Sequence, residues 1–395
     1  MQPKLRNAFN ADFTDARYAE LLRIANETER WPVDFRISET PLFLTPEFTE
    51  EVSRAAEIIV AQLRTPEFAE HAKTALPPGL EVPNETPHPT FLQVDFAICE
   101  HEGRLVPRLI ELQGFPSLYG FQIFLLRCMR VAFPAIPGEW VPFFNGYDES
   151  SYTELLRRVI VGDSAPENVV LLEIEPEKQN TRIDFVCTET LLGVAPVSLT
   201  DVTRRGRELF YERDGREVRI ERIYNRVIFD ELLRRPDLSF GFNFQQEIDA
   251  KWVGHPNWYF RISKHSLPFL KTPHTSRAYF VDEFPADEPV DEYVLKPLYS
   301  FSGLGVDLEP TRAKLAAIAE PHTWILQEKV TYADFVPTSD GRRSKAEIRM
   351  MFVWPDDGEP ILVNNLVRMS QGAMMGVKFN KNKTWVGSSI ALHQP

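Results

Sequence analysis

At Phe91 the hydrophobic period of this chain changes, and that change restricts the kind of core that can follow. Upstream, Thr45-Pro46 reads as an N-cap with proline at the first helical position, and Val52, Ala55, Ala56, Ile59 and Leu63 recur on one helical face. Residues 1 to about 75 are therefore expected to be mostly helical, with the proline-rich stretch Ala75–Pro89 as a connector. From Phe91 the period is two: Leu92, Val94, Phe96 and Ile98 alternate with Gln93 and Asp95, and after a turn at His101-Glu102-Gly103 a second strand runs to Leu112. That is a hairpin. Further on, Val169–Ile174, Val194–Leu199 and Val218–Ile223 read as strands among short helices. Pro196 confines the second run to a sheet edge, because proline has no N–H for a ladder. Residues 290–330 read as strand, glycine loop, helix and strand, and Ile348–Trp354 with Ile361–Arg368 as a final strand pair.

The pattern predicts an α+β chain of α/β lobes around a cleft, in place of a doubly wound sheet. We divide it into a helical N-terminal region and connector (1–90), a first core segment (91–164), an α/β lobe (165–250), a lid lobe (251–345) and C-terminal strands that complete the core (346–395). A chain of 395 residues has ample material for such lobes. Its net charge of −13 excludes a general nucleic-acid or anionic-membrane surface, though a local cationic cluster for a nucleotide remains compatible. No apolar run reaches the roughly 18 residues of a membrane span, and no secretory h-region opens the sequence. Three cysteines without CxxC spacing read as buried thiols in a reducing compartment, so a cytoplasmic protein is expected. The eight histidines form no HxH or HExxH pair, so a histidine-built metal site is not expected.

Three constellations can carry chemistry. In the hairpin, Gln93 and Asp95 share one strand face, Glu111 and Gln113 share another, and a turn centred near Gly103 sets Asp95 opposite Glu111. Facing carboxylates repel unless a cation sits between them. Asp95, Glu111 and Gln113 offer the hard oxygens that suit Mg²⁺ completed by phosphate and water; the alternative is a solvated acidic face. In Tyr293-Val294-Leu295-Lys296, a strand ends on a lysine, and Ser302-Gly303-Leu304-Gly305 follow. This can set one ammonium and free backbone N–H groups around phosphates, or can be an ordinary hairpin loop. Finally, the strand Trp324-Ile325-Leu326 turns polar at Gln327-Glu328-Lys329-Val330. It can present backbone groups to an adenine edge, or simply reach solvent.

In this order the three constellations resemble the ATP-grasp superfamily, in particular eukaryotic glutathione synthetase and the synthetase domain of bacterial glutathionylspermidine synthetase. The resemblance runs from about Phe91 to the C-terminus and implies an ATP-grasp fold in the permuted, glutathione synthetase-like order. It further implies that Asp95, Glu111 and Gln113 hold Mg²⁺, and that Lys264 and Lys296 hold the phosphates of ATP. Ser302, Gly303, Gln327, Glu328, Lys329, Val330 and Glu347 would complete the nucleotide site. Arg368 would grip a substrate carboxylate, and Ser117 and Tyr119 follow the metal strand where the resembling enzymes contact substrate; Arg349 and Arg226 are further candidates for the carboxylate, each of the three arginines having a structural ion pair as its alternative. The implied activity is an ATP- and Mg²⁺-dependent carboxylate–amine or carboxylate–thiol ligase working through an acyl phosphate. The loops after Lys296 and around Gly372–Gly376 would be its lids. Its partners would be a small carboxylate and an amine, and the chain itself a possible homodimer. Three positions depart from the family: Gln93 stands where it has arginine, Ser300 where it has a metal-binding glutamate, and Ser370 where it has lysine. These motivate two alternatives, a non-catalytic nucleotide-binding protein and a small-molecule kinase on the same fold.

Overall fold

A computed structural model of the chain describes residues 1–27, 30–300, 303–372, 375 and 380–395. The N-terminal quarter is helical as its periodicity indicates, with helices at Pro3–Asp12, Asp15–Glu27, Pro46–Leu63 and Pro66–Lys73. Thr45 caps the third of these by accepting the N–H of Phe48, which satisfies one of the donors that a helix start leaves open.

The centre of the molecule is an antiparallel sheet in the order Gly387–Ser389, Ile361–Ser370, Arg343–Val353, Phe91–His101, Arg104–Gln113. Alternation gives it two unlike faces. Leu92, Val94, Phe96, Ile98, Leu112, Ile348, Met350 and Val367 pack as one apolar layer against Val52, Ala55, Ala56 and Ile59 of the helix Pro46–Leu63. The opposite face carries Gln93, Asp95, Glu111, Gln113, Glu347, Arg349 and Arg368, brought side by side by the strand register. One extra residue makes this possible. The tight turn pairs His101 with Arg104, and an unbroken ladder from there would set Ile110 opposite Asp95. A bulge at Ile110 shifts the register by one and restores Glu111 to that place.

A second, four-stranded sheet, wholly parallel, runs Lys251–Val253, Arg222–Asn225, Val169–Glu173, Ala195–Ser198. Pro196 lies on its edge strand, where a missing N–H costs nothing. The run Val218–Ile223, expected as one strand, is two: Arg216–Ile220 closes a three-stranded meander, and Arg222–Asn225 enters the parallel sheet. The crossing is at Glu221, whose N–H goes to Asn168 and whose carbonyl receives Lys251. A third sheet, the lid sheet of Ala278–Phe280, Trp324–Glu328 and Tyr293–Pro297, is tied to the edge strand Arg104–Gln113 by Gln327 Nε2, which donates to the carbonyl of Leu109, and shares Phe280 and Ile325 with the apolar core. The mixed α+β architecture is thus as expected. Among the described residues no helix is long and apolar enough to cross a membrane.

Candidate functional site

The polar face of the central sheet and the lid sheet meet over Glu111. Lys264 reaches this point from the start of a 3₁₀ turn, Lys264–Phe269, fixed by a reciprocal cap between Ser263 and Ser266. Its Nζ lies 3.1 Å from Glu111 Oε1 and donates to the carbonyl of Ser300 at 2.6 Å. Lys296 arrives from the lid strand, donating to Gln327 Oε1 at 2.6 Å, while Gln327 Nε2 donates to the carbonyl of Leu109 at 3.1 Å. Lys296 Nζ also points at the carbonyl of Ile110, 3.5 Å away. The bulge therefore supplies the core's side of a latch to the lid.

Burial by itself would raise the pKa of Glu111. The charges of Lys264, Lys296 and Arg368, with the hydrogen bond from Lys264, outweigh burial and bring it down to about 2. Lys296 is pulled the other way. Burial lowers its ammonium to about 8, with Glu111 and Glu347 opposing and Lys264 adding to the fall. The sign follows for an anion held by this ammonium: binding is at full strength below about pH 7 and weakens roughly tenfold by about pH 9 as the proton leaves. Inorganic sulfate, whose charge is constant in this range, should show that profile in a thermal-shift titration. An equal fall in Lys296→Arg, which keeps its charge, would show that another group titrates.

Asp95 lies at the centre of the same face and is 1% exposed. Arg349 Nε and Nη2 donate to its two oxygens at 2.6 and 2.7 Å, and Arg368 Nη2 donates to Oδ2 at 2.7 Å. Arg368 Nη2 also lies 2.9 Å from Glu347 Oε2, and Glu347 Oε1 accepts the hydroxyl of Tyr332. Burial raises the Glu347 carboxyl, Arg368 and Tyr332 opposing and the neighbouring Asp95 and Glu111 reinforcing the rise.

This geometry revises several expectations. Asp95 accepts one arginine N–H on Oδ1 and two on Oδ2, so its charge is balanced by a clamp of two arginines without a metal. Arg349 is committed to that clamp through Nε and Nη2. Arg368 differs: its side chain is 37% exposed, and only Nη2 is engaged among the described residues, which leaves the N–H groups of Nε and Nη1 as donors for a ligand. Tyr119 is a core residue, its hydroxyl donated to the carbonyl of Phe352 at 2.8 Å. Arg226 is buried against Asp184 at 2.8 Å, and the carbonyl of Ser117 accepts Gln93 Nε2 at 2.8 Å. In the hinge, the segment Gln327–Val330, the N–H groups of Glu328 and Lys329 go to the carbonyls of Arg277 and Glu292. The Glu328 carboxylate pairs with Arg277, and Lys329 Nζ donates to the backbone carbonyl of Asp291. Only the N–H of Val330 is without a partner among the described residues. Gly303 sits at φ 72° and faces open space. Ser302 lies outside the described residues, as do Ala373, Met374 and Gly376 of the second lid loop.

The residues fit Mg²⁺ better as a pair than as the triad. Gln113 Oε1 is buried without a hydrogen-bond partner, two residues from Glu111 on the same strand face, and Glu111 is partly exposed. Among the described residues no cluster of three or more His, Cys, Asp or Glu can hold a metal. A cation here would have to draw its remaining ligands from water or phosphate. The crevice between Glu111, Gln113, Tyr259, Lys264, Tyr299 and Ser300 measures about 20 Å³, room for about one water molecule. A groove of about 730 Å³ elsewhere on the surface, beside Glu47, Glu51 and His274, is lined by none of the candidate residues.

Two residues were not singled out from the sequence, one at this site and one away from it. Tyr332 lies just past the hinge strand. Asp184 sits between Ile183 and Phe185 in a buried helical turn, and an acid inside an apolar run is the one cue that marks it.

The chain matches 27 solved chains in overall structure. One is a glutathione synthetase-like effector from Globodera pallida, determined in its apo form. The TM-score is 0.59 with 12% sequence identity, over 96% of this chain and 96% of that one. At that identity the likeness speaks for the fold alone. No protein-family profile matches the chain, and no curated protein sequence matches it.

Proposed function

We propose that the cleft over Glu111 binds ATP with Mg²⁺ and that the protein is a carboxylate–amine ligase that activates its acid as an acyl phosphate. One observation carries the reading: three cations from three separate segments gather around Glu111, Lys264 at 3.1 Å, Lys296 at the carbonyl of the adjoining Ile110, and Arg368 on Asp95, the residue paired with Glu111 across the ladder. Across the whole face Lys264, Lys296, Arg349 and Arg368 outnumber Asp95, Glu111 and Glu347 by one. A polyanion is the ligand that balances this surplus, and balances it better still once a divalent cation is present. Mg²⁺ bound by Glu111 and Gln113 would act as a Lewis acid toward phosphate oxygens.

The chain's own residues do the rest. Lys264 and Lys296 neutralise phosphate oxygens, exchanging the Ser300 carbonyl and Gln327 amide they now hold. Arg368 takes the acid's carboxylate through Nε or Nη1, while Asp95 and Glu347 hold Nη2, so the guanidinium is oriented before the substrate arrives. The lid sheet covers the site and keeps water from an acyl phosphate that would otherwise hydrolyse. A crevice of one water's volume requires the lid to lift before a nucleotide enters. Lifting it would break the Lys296–Gln327–Leu109 hydrogen bonds and part Phe280 and Ile325 from the apolar core they share with the central sheet.

A second reading is favoured by a specific contact. Gln93, placed where the resembling enzymes have arginine, is fully buried and donates to Ser117, so no cation stands there to help phosphoryl transfer. On that reading the protein binds nucleotide without turning it over.

The test is a thermal-shift titration with Mg²⁺–ATP, Mg²⁺–ADP and a non-hydrolysable analogue, followed by ADP release against a panel of acids and amines. At a hundredfold excess over Kd the wild type should gain about 2.7 kcal/mol. Lys296→Ala should lose most of that gain, and Glu111→Ala its dependence on Mg²⁺. ADP release requiring both an acid and an amine supports the ligase. Release with a phosphorylated product and no amine requirement points to a kinase. Binding without release supports the second reading, and no shift with any nucleotide sinks all three.

A further inference from the structure

Resting on the reading of Arg368 as the carboxylate-holding arm, we propose that Tyr332 is a positioning residue that couples the nucleotide hinge to that arm, so that nucleotide and carboxylate bind cooperatively.

Tyr332 follows the hinge strand Trp324–Glu328 by four residues and is tied to the central sheet through a backbone bridge to Cys99. Its neighbour Ala333 donates to the carbonyl of Ile98 at 2.9 Å. The hinge and the sheet are thus joined where the tyrosine stands. Its hydroxyl donates to Glu347 Oε1, Glu347 Oε2 holds Arg368 Nη2 at 2.9 Å, and the same nitrogen reaches Asp95 at 2.7 Å. Two consecutive charge-assisted contacts therefore connect Tyr332 to the guanidinium of Arg368, and a third ties that guanidinium to Asp95. In such a setting each bond polarises the next. The Arg349–Asp95 pair anchors the far end and removes slack from the chain of contacts.

Arg368 can rotate only by releasing Glu347, and Glu347 keeps its place by accepting from Tyr332. A ligand that orders the hinge holds Tyr332 against Glu347 and so holds Arg368 with Nε and Nη1 free for a carboxylate. By linkage a carboxylate on those donors favours the ordered hinge equally.

The measurement uses acetate as the simplest carboxylate. The acetate concentration that half-protects Arg368 from phenylglyoxal is read by peptide mass spectrometry, with and without a Mg²⁺-bound non-hydrolysable ATP analogue, in the wild type and in Tyr332→Phe. The phenylalanine keeps the ring and loses only the hydroxyl. The analogue should lower this concentration about tenfold in the wild type. In Tyr332→Phe the ratio should fall to about one while the analogue's own thermal shift stays as in the wild type. Glu347→Gln is a second break in the same chain and should also give a ratio near one. A merely structural tyrosine would change the melting temperature and leave the ratio alone. An unchanged ratio in both variants, or a wild-type ratio of one with both ligands bound, overturns the coupling and spares the site. Absence of any nucleotide shift in the wild type overturns the site reading, and the coupling with it.

Discussion

Asp95→Ala is expected to cost about 3–5 kcal/mol of stability, the loss that follows when one member of a buried ion pair is removed and the other stays charged. The carboxylate is 1% exposed and is held by Arg349 through two parallel hydrogen bonds, with Arg368 on one of the same oxygens. Alanine leaves the Arg349 guanidinium buried on the sheet face with neither water nor an acceptor. The cost comes from that stranded charge, so a second substitution should relieve it: Asp95→Ala with Arg349→Met should be markedly more stable than Asp95→Ala alone. Melting temperatures of the wild type, both single variants and the double variant form the cycle. A loss below about 1 kcal/mol in Asp95→Ala, or no recovery in the double variant, would show that the clamp does not form as described.

The second large effect lies away from the cleft, at Asp184. This fully buried carboxylate accepts the N–H groups of Leu118, Gly120 and Phe121 and a hydrogen bond from Arg226 at 2.8 Å. It closes the start of the helix Phe121–Ala132 and holds Leu118 at φ 64°, a left-handed conformation that a branched side chain adopts only when its surroundings enforce it. Removing it leaves several buried donors unsatisfied at about 1–3 kcal/mol each, more for the guanidinium. Asp184→Ala is therefore expected to lower stability by more than about 3 kcal/mol, and Asp184→Asn by less, since one amide oxygen can still serve part of the set. Equal melting temperatures for the two variants would contradict the assignment. This site also accounts for Arg226, which the resemblance offers as a substrate contact. An arginine buried at 3% against a fully buried aspartate has its charge balanced internally.

What the sequence determined by itself is local and periodic. The alternation from Phe91 specified a hairpin with one apolar and one polar face, because side chains alternate across a strand whatever the rest of the molecule does. The Thr-Pro cap marked the start of its helix, and Pro196 confined its strand to an edge. Order along the chain was legible too, and with it Lys264 and Lys296, the first of which reaches Glu111 and the second the carbonyl of Ile110 beside it. The tertiary structure decided everything that depends on a contact distant in sequence. Whether Asp95 meets a metal or an arginine turns on Arg349 and Arg368, more than 250 residues away, which the register of a neighbouring strand delivers to it. The same holds for Lys296, whose partner Gln327 belongs to an adjacent lid strand, and for Glu347, fixed by a tyrosine from the hinge. Even the pairing of Asp95 with Glu111 needed a bulge at Ile110 that no residue type there announces. Periodicity says which face a side chain takes; charge compensation in a buried site depends on which other charges share that face, and only the folding of separate strands into one sheet settles that.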